Sequence, residues 1–108
     1  MDDQEFRDSA DHALEDLSRK LAAASDQHGF EPDFNAGALT VEFDSPPAKF
    51  VVSPNSPVRQ IWISAHSKSF KLGWDAARQA FVLPESGQTL VEFLAGAISR
   101  HIGEDVAL

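Results

Sequence analysis

Carboxylates are the groups in this chain best placed to do chemistry, and they are concentrated. The first 44 residues hold twelve acids against three bases, and the remaining 64 hold five acids and six bases. Nearly all of the net charge of −8 therefore lies at the amino end. Asp8, Asp11 and Glu15 recur at helical spacing, Asp3 and Asp16 lie near them, and His12 follows Asp8 by one turn. Further on, Glu42 and Asp44 alternate with apolar residues. Oxygen donors held in a row can bind hard cations such as Fe²⁺, Fe³⁺, Ca²⁺ or Mg²⁺. They can also steer the chain onto a basic partner. They argue against nucleic acid, whose phosphates need the opposite charge. An ordinary solvated helix face has the same composition, so charge alone leaves both readings open.

A second feature is the segment Gln60-Ile61-Trp62-Ile63-Ser64. If Ile61 and Ile63 point to the core, alternation turns Gln60, Trp62 and Ser64 to the opposite face. A tryptophan on a solvated sheet surface beside Gln60 and Arg59 has the composition of a binding hot spot. Trp62 could equally cover sheet surface or lie under a loop. Catalysis has no comparable signal: there is no nucleophile–base pair, no Gly-rich phosphate loop and no enclosed acid pair. His28, His66 and His101 show no ligand spacing. The chain has no cysteine, which removes disulfides, thiolate nucleophiles and directly ligated Fe–S clusters. The expectation is a protein that is not an enzyme.

The elements that must position these residues follow from periodicity. Phe6, Ala10, Ala13, Leu14, Leu17 and Leu21 make one apolar stripe, which predicts a helix over about 3–24. At about 100° per residue, Asp8, Asp11 and Glu15 fall opposite that stripe, flanked by His12, Asp16 and Arg19. Gly29 ends the helix, and a loop runs through Pro32. The period then becomes two: Leu39, Val41 and Phe43 alternate with Thr40, Glu42 and Asp44. Pro46-Pro47 turns the chain into a strand over 49–52, and the segment from Ser53 to Pro57 makes a rigid turn. Further strands are predicted over 59–65, 70–74 and 80–83, the fourth placing Trp74 with Phe70 and Leu72 in the core. Ser86-Gly87 introduces a second helix with Leu90, Phe93, Leu94, Ala97, Ile98 and His101 or Ile102 on one face, closed by Gly103. Helix, strand meander and helix in 108 residues mean one α+β domain. Two helices pack on one face of an antiparallel sheet of five to six strands, and the other face is left to solvent. The amino terminus lacks a signal or transit pattern, and no apolar run is long enough to span a bilayer. A soluble cytoplasmic protein, not bound to membranes, is the expectation.

Four stretches together resemble the frataxin family, in its bacterial CyaY-type branch, and the resemblance covers nearly the whole chain. They are Asp3-x-Glu5-Phe6 with Ala10-Asp11, then Asn35-Ala36-Gly37-Ala38-Leu39-Thr40, Pro57-Val58-Arg59-Gln60-Ile61-Trp62-Ile63-Ser64 and Ser86-Gly87-Gln88-Thr89-Leu90. The third is the specific one, similar to the family's Pro-x-x-Gln-hydrophobic-Trp-hydrophobic-Ser/Ala strand. The resemblance implies an iron-binding accessory protein of iron–sulfur cluster assembly that acts on a cysteine desulfurase and its scaffold protein. Iron, Fe²⁺ or Fe³⁺, would be held weakly by Asp3, Asp8, Asp11, Glu15, Asp16, Glu42 and Asp44. Partners would dock on Asn55, Arg59, Gln60, Trp62 and Ser64. The expected state is a monomer, with iron-driven oligomers left open. The chain departs from the family at the end of the first helix, where Ser18, Arg19 and Ala22-Ala23-Ala24 stand in place of acids, and at the turn from Ser53 to Pro57. Two readings of other classes remain beside this one: a small acidic α+β secretion chaperone, and a ferroxidase working at the acidic row.

Overall fold

The computed structural model describes residues 1–44 and 47–108. Its elements are α1 (Asp3–His28), β1 (Phe30–Asn35), β2 (Ala38–Asp44), β3 (Pro47–Asn55), β4 (Gln60–Ala65), β5 (Lys68–Asp75), β6 (Ala80–Val82) and α2 (Leu90–Ile102). The six strands pair antiparallel in sequence order, and both helices cover one face of the sheet.

Both helices start on reciprocal caps. Asp2 accepts from the Glu5 backbone N–H while the Glu5 side chain returns to the Asp2 N–H, and Thr89 and Glu92 repeat the device in α2. The Glu5 backbone N–H holds the Asp2 carboxyl below its ordinary pKa, and the Thr89 backbone N–H does the same for Glu92. Gly29 and Gly103 end the helices in the left-handed conformation, where a side chain would be strained. The first helix runs one turn beyond the expected Ala24, so Ala22-Ala23-Ala24 lie inside it. Nothing in that alanine run breaks a helix.

The largest correction is β1. The segment expected to be a loop through Pro32 is an edge strand, with Pro32 opposite Val41 and Phe34 opposite Leu39. Proline is tolerated there because an edge strand leaves some N–H positions unpaired. The turn expected from Ser53 to Pro57 is smaller: β3 continues through Pro54, which faces Ile61, and only Ser56–Val58 form a 3₁₀ turn. Arg59, expected to begin a strand, is instead the left-handed residue that ends this turn. Of the expected Pro46-Pro47 turn, Pro46 lies outside the described residues and Pro47 opens β3.

The core lies between helices and sheet. Phe6, Leu14, Leu17, Leu21, Phe50, Ile61, Leu72, Leu94 and Ile98 are fully enclosed, and no polar side chain is buried among the described residues. Trp74 does face this layer, edge-on to Phe81 at 5.1 Å between ring centroids. It is only half-buried, so the enclosed aromatic position here belongs to its cross-strand partner Phe81, 2% exposed, and not to Trp74.

The carboxyl-terminal tail packs against the core. Val106 is buried, Leu108 is half-buried against the core, and the Val106 backbone N–H donates to Ser99 Oγ at 2.9 Å. Burying one such side chain fully is worth roughly 1.5–3 kcal/mol. Deleting residues 106–108 should therefore lower the melting temperature by roughly 5–10 °C in a calorimetric scan. A deletion protein that melts with the intact chain would mean the tail is dispensable.

Candidate metal and partner-binding surfaces

The apolar stripe of α1 fixes which acids are free. Phe6, Ala10, Leu14, Leu17 and Leu21 turn inward, so Asp8, Asp11 and Glu15 are left exposed on the opposite side. Asp8 Oδ1 accepts from Gln4 Nε2 at 2.9 Å, an uncharged partner that leaves its negative charge in place. Two of the expected ligands behave differently. Asp3 Oδ1 accepts from Arg59 Nη2 at 2.9 Å, and Asp16 is paired with Lys20 at 3.1 Å and Arg19 at 3.6 Å. A cation arriving at either must displace a positive side chain already there.

A second set of acids stands on the open face of the sheet. Glu42 and Asp44 of β2 are exposed, and Glu31 of β1 lies directly across from Glu42. Asp33 shares that face, since it pairs with Thr40 two residues along. Like charges placed opposite each other on a sheet are destabilising, and Lys49 of β3, directly across from Glu42 on its other side, brings a positive charge to this row. Glu31 and Asp33 were not among the expected site residues. Treating Pro32 as part of a loop hid them, although Phe30, Pro32 and Phe34 already alternate with Glu31 and Asp33.

The donor set is all oxygen, which suits hard cations. Among the described residues, no three Asp, Glu or His side chains gather as a metal cage. Each exposed carboxylate is solvated, so occupancy by a metal would be weak and exchangeable.

The other expected surface is assembled more completely. Alternation along β4 buries Ile61 and Ile63 and exposes Trp62 and Ser64. The register aligns Ser53, Trp62 and Lys71 across three strands, and Asn55, Gln60 and Gly73 in the neighbouring row. Trp62 is 36% exposed, its Nε1 donates to Gln60 Oε1 at 3.0 Å, and the Lys71 ammonium lies 4.9 Å from the ring centre. The hydrogen bond and the cation–π contact hold the indole over the sheet with much of its ring free. Asn55, Gln60, Trp62 and Ser64 thus share one face. Arg59 does not join them; its guanidinium reaches back to Asp3 and ties the turn to the start of α1.

The fold also unites two histidines that sequence spacing kept apart. His66, in the β4–β5 turn, and His101, in the last turn of α2, bring Nε2 and Nδ1 to 3.3 Å. They are separated by 35 positions, so only the packing of α2 on the sheet reveals the pair.

The family model described as a Frataxin-like domain matches residues 1–104. The iron–sulfur cluster assembly protein CyaY of Pseudomonas fluorescens is 32% identical over 92% of this chain and 84% of its own length. The protein of the same name from Azotobacter vinelandii is 28% identical over 86% of each chain. Among solved structures, frataxin from Psychromonas ingrahamii superposes with a TM-score of 0.77 at 23% identity, covering 99% of this chain and 97% of that one. Yeast frataxin gives 0.72 at 21% identity, covering 93% and 82%.

Proposed function

Since the chain belongs to the frataxin family, in its CyaY-type branch, we propose that it serves iron–sulfur cluster assembly as a non-catalytic, iron-binding regulator of a cysteine desulfurase and its scaffold protein. The observation that carries this reading is the near full-length match to relatives named for iron–sulfur cluster assembly. No observation favours the secretion-chaperone alternative. No described helix is long and apolar enough to cross a membrane, and the proposed setting is the bacterial cytoplasm.

In this reading the two surfaces divide the work. Asp8, Asp11 and Glu15, with Glu31, Asp33, Glu42 and Asp44 on the sheet, attract iron as cargo and a basic surface of the desulfurase. Asn55, Gln60, Trp62 and Ser64 dock the scaffold, with the indole as anchor. Asp3 and Asp16 contribute to the field more than to direct ligation, because each holds a cationic side chain.

The experiment is charge removal on α1. Neutralising Asp8, Asp11 and Glu15 together, as Asn, Asn and Gln, should weaken both Fe²⁺ and desulfurase binding roughly tenfold or more. The fold should be kept, because none of the three touches the core, and relief of repulsion should if anything raise stability. Desulfurase affinity of the intact chain should also fall steeply with salt, since these charges act over about 10 Å at 0.1 M ionic strength. Unchanged binding of both ligands by the neutralised protein, or an affinity indifferent to salt, would remove the acids from function.

A further inference from the structure

The far side of the molecule carries a cleft of opposite character. Between β3, the β4–β5 turn and the end of α2 lies an open depression of about 600 Å³. Of its seven described lining residues, five offer positive charge or hydrogen-bond donors: Lys49, His66, Ser67, Arg100 and His101. None of the described lining residues is a carboxylate. Among the described residues neither Lys49 nor Arg100 is in an ion pair within 4 Å, although Lys49 stands directly across from Glu42. In a protein of net charge −8, such a gathering of cations stands apart from the rest of the surface.

The placement of His66 and Ser67 adds to this. Both residues of the two-residue β4–β5 turn are left-handed, with φ of 53° and 64°. That geometry favours glycine or asparagine, and the comparable β1–β2 turn has Gly37 at its second position. Here two residues without that freedom adopt it, and it carries the His66 ring to His101. The His101 ring in turn lies against Phe43 and Phe50, with centroids 4.4 and 5.8 Å away, so the pair rests on the core.

We propose that this cleft binds a small multivalent oxyanion, of the phosphate or polycarboxylate class. Arg100 and Lys49 supply fixed charge, and the Ser67 hydroxyl and the imidazoles supply donors. A transition metal held between the two ring nitrogens is the competing occupant, since 3.3 Å also suits two ligands of one ion. Arg100 and Lys49 oppose that occupant and favour the anion.

The two occupants make opposite demands on the pair: a metal takes the lone pairs of the imidazoles, whereas an oxyanion takes N–H donors. The charged groups around the pair are Arg100 on α2 and Lys68 on β5, with Lys49 of β3 at the rim, directly across from Glu42 on the open face of the sheet.

The test is an ¹⁵N amide titration of the whole chain with sulfate, phosphate, citrate and Zn²⁺ in turn, at fixed ionic strength against sodium chloride. Saturable shifts should appear at residues 49, 66, 67, 100 and 101. Lys49→Gln with Arg100→Gln should weaken sulfate roughly tenfold or more, since charge-assisted contacts are lost. His66→Asn, which removes one imidazole of the pair, should also weaken sulfate binding. Saturation by phosphate and not citrate, or the reverse, identifies the source of the oxyanion. Shifts reproduced by sodium chloride, or unaltered in the double variant, would overturn the proposal. So would Zn²⁺ saturating the pair while no oxyanion does.

Discussion

Replacing Trp62 with alanine should leave the protein folded and disable its docking. The loss in scaffold affinity should be about 2 kcal/mol or more, near 30-fold, as expected for an aromatic anchor at the centre of an interface. Stability should change by less than about 1 kcal/mol, because the ring is partly in water and no core atom closes over it. What folding loses is the hydrogen bond to Gln60 and the Lys71 contact, each modest at an exposed site. Titration calorimetry against the scaffold protein and a thermal melt of the variant read the two halves separately. A variant that unfolds would mean that the β4 register is displaced by one residue. One that folds and binds normally would remove Trp62 from recognition while leaving the fold assignment untouched.

Phe81→Ala should do the reverse. Phe81 is 2% exposed and meets Phe6 of α1 edge-on at 5.8 Å while packing against Trp74 at 5.1 Å. Removing its ring leaves a cavity that three elements share, and such truncations cost about 3–5 kcal/mol. A domain of this size holds only about 5–15 kcal/mol of stability in total. Urea unfolding at 25 °C should therefore show a sharply lowered midpoint with little change in slope. Trp74→Ala should cost less, about 1.5–3 kcal/mol, because that ring is only partly buried. Equal losses at the two positions would return Trp74 to the core and contradict the burial described above.

Both forecasts turn on details that differ in how visible they are from residue order. The inward and outward sides of β4 were legible, since Ile61, Trp62 and Ile63 alternate without interruption and neighbouring strands agree. The outward row of Asp8, Asp11 and Glu15 was legible for the same reason, through the apolar stripe behind it. For Trp74, parity gives the face the residue takes but not how completely its neighbours enclose it. Strand β1 was missed because Pro32 and two acids outweigh the alternation of Phe30 and Phe34. The pairings Asp3–Arg59 and His66–His101 were invisible, since side chains 56 and 35 positions apart meet only through tertiary packing.

That first strand has a consequence for how copies of the molecule behave together. An open sheet exposes unpaired backbone along its two outermost strands, and a matching strand from another chain can extend it. Here one margin is β1, where Pro32 withholds an amide hydrogen and Glu31 and Asp33 project negative charge. The opposite margin, β6, is only three residues long. Each is a poor template for addition, so the sheet should resist growing into fibrils even when the protein is concentrated.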